Sequence, residues 1–211
     1  MKVQIPNEPT INLAEEFGIH IGDGSMNFYK EKGLVSIAIN PNEKKYMDFI
    51  KRLYWSLYKV SVNLRNWSRA YGFQLSSNEL VEFKYKQGLP LGKKENINIP
   101  HWIKKNEQYQ KACLRGIFDT DGTLYIEKKY NKPYPRIQIS SISQNLIKDI
   151  HEILVNLDFK VSLWKENFRN KNWKTRHVIA LRGYKQVQKW MDEIGTNNPK
   201  NLEKYNKLIF R

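Results

Sequence analysis

Apolar and polar positions alternate along two stretches of this chain with the period of a half-buried strand. The alternation runs over residues 35–39 and again over residues 136–141. A stretch with the helical period follows each of them, at about residues 43–58 and 144–157. The remaining pattern predicts strands near residues 25–29, 61–66, 71–76, 123–128, 160–166 and 175–182, and helices near residues 78–85 and 185–194.

The order of these elements repeats, and each copy begins with a short helical pattern that ends in Asp-Gly. Aligning Asp23-Gly24 with Asp121-Gly122 brings the following strands and helices into the same order. We expect each glycine to end its helix in the left-handed conformation. The repeat predicts an α+β fold of two pseudo-symmetric αββαββα halves. The predicted halves are residues 1–95 and 112–211, joined by a linker, residues 96–111.

Small residues recur one helical turn apart in both Asp-Gly helices. They are Gly18 and Gly22 in the first helix, and Gly116 and Thr120 in the second. Small side chains at this spacing let two helices approach backbone to backbone. Because glycine inside a helix costs about 0.5–1 kcal/mol relative to alanine, its recurrence at matching positions predicts a tight contact between the two helices.

The two aspartates, Asp23 and Asp121, end these helices, where the helix dipole disfavours a carboxylate. If the helices pack side by side, the two carboxylates also repel each other. A divalent cation between them would remove both penalties, and the helix-end carbonyls of Gly22 and Thr120 are further acceptors at that place. Because paired acids that hold cations can activate water for phosphodiester hydrolysis, we predict a metal-dependent nuclease site.

The chain is strongly basic, which indicates an anionic partner. It has 36 Lys and Arg against 21 Asp and Glu, a formal net charge of +15 and a pI of about 9.7. Such an excess favours a polyanion, and nucleic acid comes first. The single cysteine, Cys113, and the lack of an apolar run of roughly 18 residues lead us to expect an intracellular, cytoplasmic, nucleoid-associated protein with no membrane partner.

Two nine-residue motifs carry a resemblance to a known family. Residues 114–122 read LRGIFDTDG, and residues 16–24 read EFGIHIGDG. The pair resembles the LAGLIDADG homing endonucleases, specifically the monomeric kind with two motifs. The first motif is an archaeal-like variant that has Ile21 where the second has Asp119, but it keeps the final acid, which is the catalytic position of the family.

The resemblance implies how the protein would act on its partner. It implies a monomer whose two curved sheets form a saddle over double-stranded DNA, with both strands cleaved across the minor groove. It also implies that Asp23 and Asp121 bind Mg²⁺. We expect Mn²⁺ to substitute for Mg²⁺, and Ca²⁺ to bind without supporting cleavage.

The resemblance also implies roles for basic and amide side chains beside the acids. Lys200 resembles the residue that polarises the scissile phosphate or orients water. Its counterpart in the first half is Lys93 or Lys94, and Lys93 is preferred. Gln144 looks like a water-positioning residue, with Asn42 as its first-half equivalent.

DNA contacts are implied on the polar face of the sheets and in the hairpins. The resemblance assigns base reading to Ser36, Ala38, Asn40, Arg136, Gln138 and Ser140. Arginine suits guanine and glutamine suits adenine in the major groove, which favours Arg136 and Gln138. Phosphate contacts are expected from Arg65, Arg69, Lys165, Arg169, Lys171, Lys174 and Arg176. The alternative for any one of these cations is a solvated charge of a hairpin.

Two other functions stay open on the same fold. One is a non-cleaving RNA-binding maturase or splicing cofactor, for which intron RNA would be a partner. The other is a DNA-binding regulator that has lost catalysis. Retention of both acids favours the nuclease, because a protein that only binds DNA has no need for carboxylates facing phosphates. We expect His20 to be a packed helix residue rather than a metal ligand.

Overall fold

The structure is a computed structural model, and it describes residues 3–129, 132–168, 170 and 173–209. The first half contains α1 (Ile11–Asp23), β1 (Gly24–Tyr29), β2 (Lys32–Ile39), a 3₁₀ turn (Pro41–Glu43), α2 (Lys44–Tyr58), β3 (Arg65–Trp67), β4 (Ala70–Ser76) and α3 (Asn78–Lys86). After α4 (His101–Lys104), the second half contains α5 (Glu107–Asp121), β5 (Gly122–Lys129), β6 (Lys132–Ser141), α6 (Gln144–Asn156), β7 (Val161–Glu166), β8 (Arg176–Arg182), α7 (Tyr184–Glu193) and α8 (Pro199–Ile209). Over these described ranges, none of the helices has the length and apolarity that a bilayer crossing requires.

Each half folds its strands into one four-stranded antiparallel sheet, in the orders β1-β2-β4-β3 and β5-β6-β8-β7. Gly24 pairs with Ile37, and Gly122 pairs with Ile139, so the two sheets share one register. The α+β fold of two pseudo-symmetric halves is therefore confirmed.

One face of each sheet is covered by helices and the other face is open. On β2, Val35, Ile37 and Ile39 are buried, whereas the residues between them are only partly buried. Ile137 and Ile139 are buried in the same way on β6. These side chains form one core with the apolar residues of α2 and α6. Because side chains alternate along a strand, the polar residues between them point to the open face.

The two Asp-Gly helices, α1 and α5, lie against each other at the centre of the molecule. A Cβ on Gly18 would lie 2.1 Å from the carbonyl oxygen of Cys113, and a Cβ on Gly116 would lie 2.3 Å from that of Glu15. Neither distance leaves room for a methyl group next to backbone. The glycines therefore permit a backbone-to-backbone contact, as the matching positions predicted.

The glycines that follow the two aspartates differ from expectation. Gly24 has φ −84° and ψ 158°, and Gly122 has φ −89° and ψ 166°, so both are extended rather than left-handed. The reason is that each helix passes directly into a strand. A Cβ on Gly24 would lie 2.5 Å from the Cα of His20, and one on Gly122 would lie 2.4 Å from the ring of Phe118. Glycine is needed here for space and not for positive φ.

Three further differences concern the predicted elements. Strand β3 begins at Arg65, so residues 61–64 of the predicted strand are outside it. Helices α4 and α5 occupy part of the predicted linker, because α5 already begins at Glu107. Helix α8 was not predicted. Its start is typical nevertheless, because Pro199 lacks the N–H that a first helical residue cannot use.

The segment between the halves is bound to the second half. The carboxylate of Asp149 accepts hydrogen bonds from the Ile99 amide, at 2.8 Å, and from the Lys104 ammonium group, at 2.8 Å. The Ser143 hydroxyl donates to the Ile97 carbonyl at 2.9 Å. These contacts fix residues 97–104 on α6, so the connection between the halves is an ordered part of the fold.

A polar cluster is buried in the first half, under α1. The Glu16 carboxylate pairs with the Lys84 ammonium group and accepts hydrogen bonds from the hydroxyls of Tyr54, at 2.7 Å, and Tyr58, at 2.8 Å. The Nδ1 atom of His20 lies 3.4 Å from the Lys84 nitrogen. Burial and the positive charge of Lys84 hold the pKa of His20 well below its ordinary value. His20 is thus a packed residue of the helix.

Candidate active site

The carboxyl ends of α1 and α5 meet, and this brings Asp23 and Asp121 together. A Cβ on Gly22 would lie 2.0 Å from the Thr120 hydroxyl oxygen and 3.5 Å from the Cγ of Asp121. The Thr120 hydroxyl donates to the Gly116 carbonyl at 2.8 Å, which turns it back onto its own helix. The two helix ends are therefore as close as their last side chains permit.

Both carboxyl groups ionise with difficulty in this place. Burial, the charge of Asp121 and, more weakly, the charge of Glu43 together raise the pKa of Asp23 to about 7, against the opposing charge of Lys94. Burial also raises the pKa of Asp121, again opposed by Lys94. The two acids therefore form a site that positive charge would stabilise.

Lys94 supplies positive charge at the end of α1. Its ammonium group donates to the carbonyls of Ile21, at 2.8 Å, His20, at 3.3 Å, and Gly22. Burial lowers the pKa of Lys94, and the two aspartates oppose this shift. Lys93, the preferred candidate, lines the same cleft but is exposed, and Lys94 is the residue that reaches the helix end.

Lys200 holds the equivalent position in the second half. Phe73 pairs with Ile37, and Ile179 pairs with Ile139, so Phe73 and Ile179 are equivalent in the repeat. Lys94 follows Phe73 along the chain by the same number of residues as Lys200 follows Ile179. The Lys200 ammonium group does not contact helix carbonyls. It pairs instead with the Glu43 carboxylate at 2.8 Å. The two lysines therefore match by their position in the repeat but have different partners.

Glu43 is a site residue that the sequence did not reveal. Besides Lys200, its carboxylate accepts a hydrogen bond from the Asn198 side chain at 2.6 Å, so it joins the two halves. Its charge contributes to the raised pKa of Asp23. The repeat gave no signal for it, because the same register places an amide, Asn145, at the equivalent position of the second half.

Asp119 positions the segment that carries Lys200. The Asp119 carboxylate accepts hydrogen bonds from the amide of Asn197, at 2.6 Å, and from the Thr196 hydroxyl. Its main-chain carbonyl accepts from the Asn198 side chain at 2.9 Å. Burial raises the pKa of Asp119, which lies at about 7 even though the hydrogen bonds from Thr196 and Asn197 lower it.

Two open clefts contain the two lysines. One, of about 690 Å³, includes Lys94, Asp121, Ser140 and Arg176 in its wall. The other, of about 590 Å³, is lined by residues of both halves, including Asn42 and Lys200. Asp121 thus lines the cleft of Lys94, and Glu43, whose charge acts on Asp23, lines the cleft of Lys200.

Gln144 is in a different place from its predicted counterpart Asn42. Ile37 and Ile139 are equivalent, because each pairs with the glycine that follows its helix. Asn42 follows Ile37 by the same number of residues as Gln144 follows Ile139, so Asn42 and Gln144 are equivalent in the repeat. Asn42 lines the cleft that contains Lys200. Gln144, at the start of α6, is exposed and lines a separate pocket on the helix side of the second sheet.

Most of the predicted DNA-contacting residues share the open faces of the two sheets. Register and alternation place there Ser36, Ala38, Arg65, Arg136, Gln138, Ser140 and Arg176. Asn40 follows the end of β2 and accepts a hydrogen bond from the Asn42 amide at 3.0 Å. Arg69 lies in the turn between β3 and β4. The Lys174 ammonium group is 2.5 Å from the Glu95 carboxylate.

Lys165 does not share the open face. It pairs with His177 on the next strand, and His177 pairs with Ser141. These three residues form one cross-strand row, which points to the opposite face of the sheet from Ser140. Lys165 therefore projects to the helix side of the sheet. Arg169 and Lys171 lie outside the residues that the structure describes.

The residues at the acid pair fit a divalent cation. Two carboxylates and two helix-end carbonyls are hard oxygen ligands of the kind that Mg²⁺ and Mn²⁺ take. Lys94 already places a positive group on the carbonyl of Gly22, which shows that this helix end attracts cations. In the described part of the chain, no three His, Cys, Asp or Glu residues cluster as a metal site. Any cation here would therefore depend on the two aspartates, carbonyls, water and substrate.

A family model matches the second half of the chain, and relatives from an archaeon match most of it. Residues 108–195 match the model of a LAGLIDADG-like domain. The replication factor C small subunit of Methanocaldococcus jannaschii is 26% identical over 205 residues, which are 96% of this chain and 10% of that protein. A second protein of that organism, uncharacterized protein MJ0314, is 24% identical over 81% of this chain and 62% of its own length. The chain thus spans less than two thirds of these relatives.

Solved structures of similar fold include homing endonucleases and DUF199/WhiA proteins. Mesophilic variants of the homing endonuclease I-DmoI align with a TM-score of 0.64 at 18% identity, over 87% of this chain and 95% of theirs. An I-DmoI variant in complex with its nicked target DNA and manganese gives 0.64 at 16% identity, over 89% and 97%. Full-length DUF199/WhiA from Thermatoga maritima gives 0.56 at 14% identity, over 97% and 62%.

Proposed function

Because this chain has the LAGLIDADG fold, and its residues 108–195 match the LAGLIDADG-like domain, we propose that it is a metal-dependent, site-specific endonuclease that cleaves both strands of DNA. The observation that carries this proposal is the meeting of Asp23 and Asp121 at the ends of α1 and α5. Two buried carboxylates with raised pKa values, where the charge of Asp121 adds to the rise at Asp23, are a costly arrangement unless a cation binds there.

The acid pair would hold the metal with the help of main-chain carbonyls. Asp23 and Asp121 are the carboxylate ligands, and the carbonyls of Gly22 and Thr120 complete the protein part of the site. When bound, a divalent cation supplies charge neutralisation and lowers the pKa of its bound water. I-DmoI, which was solved with manganese and target DNA, supports a divalent ion on this fold.

The two lysines would bind the phosphates that flank the acid pair. Lys94 and Lys200 stand at equivalent places of the two halves, one in each cleft. An ammonium group beside a phosphodiester stabilises the negative charge that develops on its oxygens during hydrolysis. Asn42, in the cleft of Lys200, can hold water by its amide. The proposed roles extend to both halves, because each DNA strand needs its own flanking cation.

The open faces of the sheets would read the DNA bases. The Arg136 guanidinium is held 2.8 Å from the Glu127 carboxylate and over the Tyr125 ring, at 5.0 Å from its centroid, which fixes its direction. In the described part of the chain, the buried Oε1 atom of Gln138 has no hydrogen-bond partner. Rotation of this side chain toward the groove would let a base edge that donates a hydrogen bond satisfy the acceptor. The net charge of +15 supports binding of a polyanion.

A DNA-binding protein that does not cleave is the second candidate. The fold also occurs in DUF199/WhiA, so the fold alone does not imply catalysis. The specific observation in its favour is Lys94, whose ammonium group occupies the Gly22 carbonyl that a metal would use. Cleavage requires that this lysine yields the carbonyl or that the metal binds without it.

Cleavage of a library of random or genomic DNA sites with Mg²⁺ tests the proposal. We expect defined double-strand cuts that stop when EDTA is added. Asp23→Asn and Asp121→Asn should each reduce cleavage about a hundredfold or more, the scale for removal of one charge-stabilising group, while DNA binding persists. Asp48→Asn, which removes an exposed acid on the outer helix α2, is the matched control and should cut normally. Full cutting by either active-site variant, or cutting in EDTA, would reject the assignment.

A further inference from the structure

A second candidate binding site lies in the second half, away from the acid pair. It is a pocket of about 340 Å³ between α6 and the edge strand β7. Lys148 and His151 of α6 face Lys165 of β7 and His177 of β8 across it. Ile147 and Leu163 supply apolar wall, and Leu163 is 49% exposed. Gln144, which the sequence predicted to position water, also lines this pocket. The proposed cleavage uses none of these residues, because Lys165 projects to the helix side of the sheet and not to the DNA surface.

The pocket cannot belong to the surface that would hold the duplex. Lys165 and His177 lie in one cross-strand row with Ser141. This row shares its face of the sheet with Ile139 and Ile179, which are buried under the helices. The opposite face carries Arg136 and Gln138. A ligand of the pocket would therefore approach from the helix side of the sheet.

The chemistry of the pocket indicates the class of ligand. Two lysines favour an anion, and the flat imidazole rings with two aliphatic side chains favour a flat, weakly polar group. A phosphate alone would leave the apolar wall unused, and an apolar group alone would leave the cations unused. One ligand that joins both properties is a nucleotide, whose base has a π-face and whose phosphate is charged.

Size and shape further restrict the ligand. A volume of about 340 Å³ is at the lower end of the range for small-ligand pockets, roughly 300–1,000 Å³. A base inside a duplex is stacked on both sides and cannot enter such a concavity. An unpaired base can turn out and enter, and proteins recognise unpaired bases in this way, by stacking with nearby cations on the backbone. We propose that this pocket binds an unpaired nucleotide of a single-stranded nucleic acid.

Binding of labelled oligonucleotides to the intact chain tests the proposal. The probes are a non-self-complementary RNA of roughly eight nucleotides, within the usual single-strand site size, the DNA of the same sequence and its duplex. We expect Lys165→Ala to weaken binding of the single strands about tenfold and to leave binding of the duplex unchanged. Lys185→Ala is the matched control, because it removes an exposed lysine from α7 in the same helical layer. It should leave single-strand binding within about twofold of the unsubstituted protein.

A second pair of variants separates stacking from charge. Replacing both His151 and His177 by Ala should weaken single-strand binding about tenfold, the order expected for one stacked base. Replacing both by Phe keeps two flat rings and should restore most of the affinity. Tighter binding of the RNA than of the single-stranded DNA would identify RNA as the ligand. Equal binding would show that the pocket recognises the base and the phosphate but not the sugar. Both results support the proposed site.

Three results would overturn the proposal. They are equal losses for Lys165→Ala and Lys185→Ala, a parallel loss of duplex binding, and the absence of single-strand binding by the unsubstituted protein. The proposal is independent of the cleavage chemistry, because the acid pair is not among the pocket residues. Site-specific cleavage by Lys165→Ala at the normal rate would separate the two sites.

Discussion

At the scale of single residues, the two halves deliver equivalent lysines by different means. In the second motif, Asp119 binds the segment of Thr196 and Asn197 that leads to Lys200. The first motif has Ile21 at the equivalent position, and a side chain without polar atoms cannot anchor a loop. Lys94 itself takes over this task by donating to the carbonyls at the end of α1. The departure in the first motif therefore changes how the lysine is held, and both acids remain.

The first prediction concerns Lys94 and its neighbour. Because Lys94 contacts the helix end beside both acids, Lys94→Met should lower the cleavage rate about a hundredfold, as for loss of one charge-stabilising group. Lys93→Met removes the same charge from an exposed position and should cost no more than a few-fold. Single-turnover cleavage of one selected site measures both. A larger loss for Lys93→Met would restore the preference drawn from the sequence.

The second prediction concerns pH and Asp23, whose pKa is raised to about 7. The folded protein then keeps a proton that the unfolded chain loses near the ordinary aspartate value, so unfolding becomes easier as pH rises toward 7. Asp23→Asn has no proton to lose. In EDTA, we expect the variant to gain unfolding free energy relative to the unsubstituted protein between pH 5 and pH 8. Urea denaturation measures this difference, and a constant difference across that interval would contradict it.

At the scale of elements, the contact of α1 with α5 fixes how the acids meet. Gly18 and Gly116 bring the helix backbones together, and Gly22 then faces Thr120 one turn later. The spacing of these three glycines in the sequence was sufficient to predict that contact. Helix α8 and the ordered linker were not predictable in the same way, because their anchors, Asp119 and Asp149, are distant in sequence from the segments they bind.

The third prediction tests this helix contact. Gly116→Ala adds a Cβ that would lie 2.3 Å from a main-chain oxygen. Because backbone cannot move aside as a side chain can, we expect a loss of about 1–3 kcal/mol or more in unfolding free energy. Asn12→Ala, at an exposed position of α1, should change it by less than about 0.5 kcal/mol. Equal stabilities by chemical denaturation would show that the helices are further apart than described.

How far the sequence predicts the site depends on whether local pattern or tertiary contact places a residue. Alternation along β2 and β6 was enough to place Arg136 and Gln138 on the open face, because side-chain direction follows from position in a strand. Alternation also placed Lys165 in the opposite row, but the prediction assigned it to phosphate contact without using its place in the strand. Glu43 and Lys94 depend on contacts across many residues, and no local pattern marks them.

At the scale of the whole molecule, two sheets of one register and an excess of positive charge form the proposed DNA surface. The open faces present arginines, and several of these pair with acids, such as Arg136 with Glu127 and Arg176 with Glu166. Such pairs keep the cations in fixed directions before DNA binds. The affinity for DNA should then come mainly from phosphates, and the choice of sequence from the few side chains that reach base edges.

The fourth prediction follows from this distribution of charge. Binding of about six to ten phosphates implies a loss of roughly a thousandfold or more in affinity between 50 and 200 mM salt. Fluorescence anisotropy with a labelled duplex and several KCl concentrations measures the slope. Arg65→Ala, which removes one of the proposed phosphate contacts, should reduce that slope by about one unit. An affinity that is independent of salt would exclude the two sheets as an electrostatic DNA surface.

The buried pair of Glu16 and Lys84 has a consequence for exchange between the two repeats. At the equivalent places the second half has Leu114 and Trp190, and Trp190 packs on Phe118 where Lys84 meets His20. A chimera that joined α3 to the α5 copy would enclose an ammonium group among hydrocarbon, a penalty of about 3–5 kcal/mol when a buried ion loses its counterion. Each repeat thus accepts only its own third helix. These few side chains therefore prevent mispairing between the two copies, although their sheets share one register.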